Sequence, residues 1–424
     1  MTQETALNIL KAGASVFLTG EPGAGKTHTI NQYVNFLRDC GIEPAITAST
    51  GIAATHIGGM TIHSWSGIGI RKTLDARELG VIAANEKLAR RMRKTSTLII
   101  DEISMLDGVF LDTLDSVLQT VKENNAPFGG IQIIFVGDFF QLPPVTKHGQ
   151  SLAVFAFDSQ AWNVAKLVTC YLSEQHRQSD QDFLEILAAV RAGLVTKNHE
   201  NILQTRQRAL AQVDQSTLTK LFPHNADVDY INDLELQKLS TAPHTFSMTH
   251  TGRAALVEQL QRGCLSPETL HLKVGAIVLF TKNNQPAHYF NGTIGTVIDF
   301  DSESKYPIVK IQNGREILAE PVEWALEDSG KVLASITQVP LRLAWAITVH
   351  KSQGMSLDAA YMDLTESFVP GQGYVALSRV RALSGLHIAG WNTMALSVHP
   401  EVLIKDRDFR SASFAAEEYC TSLS

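Results

Sequence analysis

The chain has 424 residues, enough for two or three domains with ample core. Hydrophobic residues make up 44% and charged residues 19%, which excludes a disordered chain, and no apolar run approaches the ~20 residues that cross a bilayer. A net charge of −7 weighs against a nucleic-acid partner held by overall attraction, although a motor that must release each phosphate can confine its cations to a groove.

Met1-Thr-Gln-Glu carries neither a signal peptide nor an Arg-rich transit sequence, so a cytoplasmic or nucleoid location is expected. Cys40, Cys170, Cys264 and Cys420 are scattered without a C-x-x-C pair, which argues against a structural zinc and suits a reducing compartment.

The first predicted elements are the most specific. Ser15–Thr19 reads as a short buried strand and Thr27–Leu37 as a helix. Between them, Gly20-Glu-Pro-Gly-Ala-Gly-Lys-Thr27 fits the phosphate-binding loop G-x-x-x-x-G-K-[ST] at every fixed position. Glycines let successive N–H groups turn inward around phosphates, and the helix N-terminus adds its dipole. Lys26 then suits the β- and γ-phosphates, and the Thr27 hydroxyl suits magnesium.

Further along, Thr97-Leu-Ile-Ile-Asp101-Glu102 is an apolar strand ending in two carboxylates. Asp101 suits a magnesium held directly or through water, and Glu102 suits activation of an attacking water. A solvated acidic strand end is the plain alternative, and the phosphate loop upstream makes it the weaker one.

Strand candidates Val16–Thr19, Ala45–Ala48, Leu98–Asp101, Ile131–Val136 and Leu167–Tyr171 alternate with helical stretches. That rhythm predicts a parallel sheet covered on both faces, with ligands at the carboxyl ends of its strands. Residues 64–95 interrupt it with Trp65, glycines and the one dense basic run, Arg90-Arg-Met-Arg-Lys94. A solvated helix face explains that run as well as a binding role does. Phe183–Arg208 is helical. From His271 to about Ser335 the pattern turns to strands with Asn291-Gly292 and Asn313-Gly314 turns, the strongest short hairpin signal. Helix and strand then alternate again.

Four more segments carry chemistry: Ala48-Ser-Thr-Gly-Ile-Ala-Ala54 with Gly59–His63; Val136-Gly-Asp-Phe-Phe-Gln-Leu-Pro-Pro144; Glu174-Gln-His-Arg-Gln178; and Ala346–Gly354 with Gly373-Tyr-Val-Ala-Leu-Ser-Arg379. In this order they resemble a superfamily-one DNA helicase of the Pif (petite integration frequency) type, RecD-like, from Gln3 to about Trp391. Val121–Gln132 is similar to that family's signature, and Val274–Phe280 with Asn291-Gly292 to the start of its SH3-like insertion.

The resemblance implies an α/β fold with two RecA-like P-loop domains and parallel sheets, a small insertion in the first and an SH3-like β-barrel in the second. The ranges implied are 1–63 and 96–165 for the first, 64–95 for a wedge-like insertion, 166–270 and 338–395 for the second, 271–337 for the barrel, and 396–424 for a short helical tail. It implies ATP and Mg2+ as cofactors. Lys26, Glu102, Gln141, Arg177 and Arg379 would be catalytic, the two arginines serving the γ-phosphate from the second domain. Gln3, Gly23, Ala24, Gly25, Lys26, Thr27, His28, Gln353 and Gly354 would bind nucleotide, with Thr27 and Asp101 on the metal. Thr50, Gly51, His63, Thr348, His350, Lys351 and Ser352 would hold single-stranded DNA, through phosphates rather than base edges. His63, Trp65 and His350 could stack on bases, with core packing an equal alternative for each. Arg177 could instead be a surface ion-pair partner. His224 stands where relatives carry Thr or Ser.

The implied function is an ATP-dependent DNA helicase moving 5′ to 3′ on single strands and unwinding duplex, forked or structured DNA in replication, repair, recombination or telomere-type maintenance. It would act as a monomer or as a dimer on DNA. The alternatives are a DNA-stimulated ATPase adaptor and a RecD-like subunit that remodels a partner complex without unwinding alone.

Overall fold

A computed structural model of the chain describes all residues except 58, 70, 145–153, 175–179, 210–217, 223–227, 285, 312, 329–330, 350, 353–354 and 424. The chain divides into two units. One comprises Met1–Arg177, Glu327–Lys331 and Ile404–Ser424; the other comprises Gln178–Leu326 and Val332–Leu403.

In the first unit the short apolar runs become strands β1 (Val16–Gly20), β2 (Ala45–Ala48), β3 (Met60–Thr61), β4 (Thr97–Asp101), β5 (Gln132–Val136) and β6 (Val168–Leu172). They lie in the order β3-β2-β4-β5-β1-β6, with every pair parallel. Parallel strands are covered on both faces, which is why most of these strands read as largely apolar runs. Side chains alternate across β1. Val16 and Leu18 join Leu10 of helix α1 (Gln3–Lys11) and Ile30 and Val34 of helix α2 (Lys26–Asp39) in one core. Phe17 points the other way, 4.9 Å from Trp162 and 4.8 Å from Phe409 between ring centroids.

One boundary differs from the sequence reading, and the tail forms a longer helix than expected. Val168–Leu172 falls in the range 166–270 assigned to the second domain, yet all five of its residues pair with β1, so it closes the first sheet. The expected short tail is a helix of 24 residues, Pro400–Leu423. Phe409, Ser413, Ala416 and Cys420 recur at helical spacing. Ser413 Oγ accepts the Tyr171 N–H at 2.9 Å, and Ala416 and Cys420 pack on the core. Its alternate charges hide the stripe in the sequence.

The remaining helices of this unit needed below are α3 (Gly51–His56), α4 (Ile62–Ser66), α5 (Ala76–Ala84), α6 (Glu86–Lys94) and α7 (Gly108–Lys122). Asp75 and Glu78 close a capping box on α5, and Asn85 caps α6. Part of the basic run is spent on packing. Arg91 donates to the carbonyls of Ser64 and Trp65, and Arg93 Nε to Val121 O at 3.0 Å. Trp65 is 2% exposed, so it is a core residue here and has no face for a base.

In the second unit a four-stranded parallel sheet has the order Ala346–Thr348, Lys220–Phe222, Ala360–Leu364, Leu386–Trp391. The range read as a β module holds an antiparallel sheet in the order Glu316–Leu318, Pro307–Ile311, Ile294–Phe300, Ile277–Phe280, joined at its end by Leu341–Leu343. Smaller antiparallel pairings join Thr269–Leu272 to His244–Ser247 and Lys331–Gln338 to Thr249–Gly252. The fold is mixed α/β around a large parallel sheet. No described helix is long and apolar enough to cross a membrane.

Candidate nucleotide and DNA site

All the carboxyl ends of a parallel sheet open on one edge, so the loops after β1, β2, β4 and β5 converge there. The loop after β1 is the phosphate-binding loop. Gly25 precedes α2 at φ 88°, a left-handed conformation that glycine adopts without strain. Ala24 is buried, Lys26 is half-buried, and Thr27 and His28 are exposed at the first turn of α2. Lys26 Nζ donates to Gly20 O at 2.8 Å and Glu21 O at 3.2 Å. Thus the ammonium is held over the loop. Gln3, in the first turn of α1, is brought to the same loop: its Nε2 donates to Ala24 O at 3.4 Å, and its own N–H reaches Glu174 Oε2 at 3.3 Å.

Asp101 and Glu102 stand where β4 ends. Burial pushes the Asp101 carboxyl above its ordinary value, opposed by the Glu102 N–H, which donates to Asp101 Oδ1 at 2.8 Å, and by the charge of Lys26. Glu102 has φ 53° and ψ 45°, a left-handed backbone unusual for a residue with a side chain. Such outliers persist where the surroundings fix them. Here the fixing residue is Ser49, at the end of β2. Its N–H donates to Asp101 O at 3.1 Å and its Oγ to Glu102 O at 2.8 Å. Thr50, the next residue, caps α3 by accepting the Ala53 N–H at 3.2 Å, and Gly51 opens that helix.

After β5 the chain turns at Asp138, whose carbonyl accepts the Gln141 N–H at 3.0 Å; Gln141 is 7% exposed. Hard oxygen donors suit Mg2+. The Thr27 hydroxyl and the Asp101 carboxylate supply that chemistry, and the desolvated carboxyl gains by meeting a cation.

His63 lies on α4 with its ring 4.4 Å from that of Phe110 on α7, and burial lowers its pKa. Its ring is thus engaged in the protein's own packing.

In the second unit, Thr348 ends its strand. Its hydroxyl accepts the Lys351 N–H at 3.2 Å. Ser352 is 0% exposed, with Oγ donating to Val349 O at 2.7 Å. Its hydroxyl therefore faces inward and braces the turn that presents Lys351, instead of facing a strand. Arg379 is 1% exposed. Its Nε donates to Val375 O at 3.0 Å, Nη2 to Ser378 Oγ at 2.9 Å and Nη1 to Ser352 O at 3.5 Å. Arg177, His224, His350, Gln353 and Gly354 lie outside the described residues.

Several interactions escaped the sequence reading. Ser49 was visible only as part of a small-residue run. Gln132, at the end of the signature segment, accepts from Tyr33 and Thr97 and donates to the Leu10 and Ala14 carbonyls, tying α1, α2 and β4 together behind the site. Arg342 and Asp229 pair across more than a hundred residues.

Comparison with known proteins shows the family. The PIF1-like helicase family model matches residues 3–201. The chain is 42% identical to the ATP-dependent DNA helicase Pif1 of Psychrobacter sp. (strain PRwf-1), over 99% of this chain and 72% of the relative. It is similar to the crystal structure of Bacteroides sp Pif1 in complex with ADP-AlF4, at TM-score 0.84 and 30% identity over 96% of both chains. It is also similar to Bacteroides Pif1 helicase in complex with ADP-AlF3 and ssDNA, at TM-score 0.65, 30% identity and the same coverage. A phosphate loop, an acidic pair and the Ser49–Gly51 turn on one sheet edge thus occur in a chain that belongs to the PIF1-like helicase family, a family of ATP-dependent DNA helicases.

Proposed function

We propose that this chain hydrolyses ATP to move 5′ to 3′ along single-stranded DNA, and that it unwinds duplex, forked or structured DNA during replication, repair or recombination. The observation that carries the coupling is the Ser49 contact. The proposed DNA ligand Thr50 directly follows Ser49, the residue that holds the carbonyls of Asp101 and Glu102. A strand gripped at Thr50 and Gly51 therefore acts on the hydrolytic pair through a single peptide link.

In this reading Lys26 takes the β/γ charge. Glu102 orients and activates water, and Gln141 senses the γ-phosphate. Arg177 and Arg379 add cationic charge to the transferring group, for which a guanidinium suits best. Gln3 reads the base of the nucleotide from its place on the loop. Thr27 and Asp101 would hold magnesium, which neutralises phosphate oxygens when bound. Thr50, Gly51, Thr348, His350 and Lys351 hold the strand by its phosphates, with Ser352 supporting them from beneath. The Bacteroides complex with ADP-AlF3 and ssDNA supports both ligands for this chain.

The test is strand displacement on duplexes with a 5′ or a 3′ tail. Unwinding of the 5′-tailed substrate is expected. Preference for the 3′ tail would reverse the polarity, and DNA-stimulated hydrolysis without displacement of either would favour the adaptor.

A further inference from the structure

Arg342 lies on the strand Leu341–Leu343, and its side chain is only 10% exposed. Nη2 donates to Asp229 Oδ1 at 3.2 Å, while the buried Nε has no partner among the described residues. The second oxygen of Asp229 lies 3.9 Å from Lys351 Nζ. One carboxylate, 69% exposed, therefore serves two cations of which one is almost wholly desolvated.

The charge does not balance. Burial lowers the pKa of Arg342 and of Lys351, and the charge of Arg342 pushes Lys351 down further. The other titratable group acting on Arg342 is Cys264, whose thiol burial pushes up to about 11, so it is neutral at physiological pH and supplies no anion. A guanidinium that shows one edge to a lone exposed carboxylate leaves a planar fork half used, and that fork fits a phosphate side-on. A group with a large desolvation cost and one weak partner is short of an anion.

We propose that Arg342, Lys351 and Asp229 form a phosphate-binding site for the backbone of single-stranded DNA, in which the Asp229 carboxylate stands in for a phosphodiester until the strand arrives. The inference rests on the DNA reading of the Thr348–Ser352 turn and extends it with one cation and one internal competitor. Asp229 sits in the first turn of the helix Val228–Lys238 and is exposed enough to swing into water. A strand phosphate then takes its place on two cations that are already paired in space. When the strand leaves, the carboxylate returns, so release does not leave the buried Arg342 charge and its neighbour Lys351 without an anion. Asp229 weakens the grip at every step, which suits a motor that must let go.

The experiment measures the affinity of a mixed-sequence oligonucleotide against salt for the unsubstituted chain, Asp229→Asn and Arg342→Gln, with ADP affinity measured in parallel. Asp229→Asn should tighten DNA binding by roughly fivefold, the size of one partly exposed charge contact. Its salt slope should steepen, up to about 0.7 for one further phosphate contact. Arg342→Gln should weaken binding and flatten the slope by a similar amount; because Arg342 is buried, the exposed Asp229→Asn decides if that variant fails to fold. Unchanged or weaker DNA binding in a folded Asp229→Asn would make the cluster a plain structural ion pair and overturn the proposal. Tighter ADP binding instead would move the site to the nucleotide and overturn it too. An unsubstituted chain that binds no oligonucleotide would sink the DNA reading itself, an outcome separable from the others.

Discussion

The carboxamide of Gln3 occupies the space that a side chain at Gly25 would need: a Cβ built on Gly25 would lie 2.2 Å from Gln3 Nε2. The glycine's left-handed backbone and the glutamine's position are thus two halves of one arrangement. Gly25→Ala should displace Gln3 and strain the loop, costing ~1–2 kcal/mol for the left-handed backbone. Nucleotide affinity should fall at least about tenfold per 1.4 kcal/mol lost. Titration with a fluorescent adenine nucleotide checks this, and undiminished binding would show that the contact is incidental.

Lys26→Ala should abolish hydrolysis, because it removes the loop's cation. Glu102→Gln should still bind ATP but turn over more slowly by about 10²–10⁴, the range for removing a general base. If Glu102→Gln loses nucleotide binding instead, the left-handed turn and not the carboxylate is what matters.

Ser49→Ala removes the hydroxyl that fixes the Glu102 peptide. Small misplacements of a reacting group cost up to about a hundredfold in rate. A drop of tenfold or more in kcat is expected, with KM for ATP and DNA affinity little changed and recovery in Ser49→Thr. A purely structural serine would instead lower thermal stability with kcat preserved.

Arg379→Ala should lose DNA-stimulated turnover by roughly three orders of magnitude if the residue acts as an arginine finger. Its hydrogen bonds to Val375 O, Ser378 Oγ and Ser352 O add a second effect. Val375 O keeps the Ser378 hydroxyl and Ser352 O keeps the Met355 N–H, so the stability cost should come from the lost hydrogen bonds to a charged group, about 1.5–3 kcal/mol. The link to Ser352 O also ties Arg379 to the Thr348–Ser352 turn proposed to hold the strand, so strand affinity has to be measured with turnover. A collapse of affinity with turnover still stimulated would reassign the residue to DNA.

His63 carries a pH signature. Burial lowers its pKa from 6.5, so the folded state resists protonation more than the unfolded chain does. The stabilisation is complete above 6.5 and is lost as pH falls through the lowered folded value. In His63→Phe the ring contact with Phe110 persists and this part of the acid sensitivity should vanish. Denaturation midpoints across mildly acid pH read the difference; an identical slope in both proteins would exclude a buried neutral imidazole.

How much of this was legible in the sequence depends on how far apart the cooperating residues lie. Gly20–Thr27 is complete in eight positions, so strand, loop and helix could be read together. Asp101 and Glu102 were legible because an apolar strand ends at them. Ser49 gave no such sign, since its acceptors are more than fifty residues away and only the β2–β4 register brings them close. Gln132 and the pair Arg342–Asp229 failed for the same reason. Trp65 shows the converse: its residue type left stacking and core packing equally open, and its burial, with Arg91 of α6 over the ring at 5.8 Å, decides for the core. The helix Pro400–Leu423 was read as a tail because its contact residues are a mixture of Phe, Ser, Ala and Cys.

Helix α2 joins the phosphate loop at one end to Cys40 at the other. Its 14 residues span about 21 Å at ~1.5 Å each. Cys40 is the exposed cysteine; Cys170 is buried, and Cys264 and Cys420 are partly covered. A maleimide dye would therefore attach at Cys40 first. It would ride on the element that begins at Lys26 without touching the loop, so the native chain can be labelled there with no cysteine added or removed.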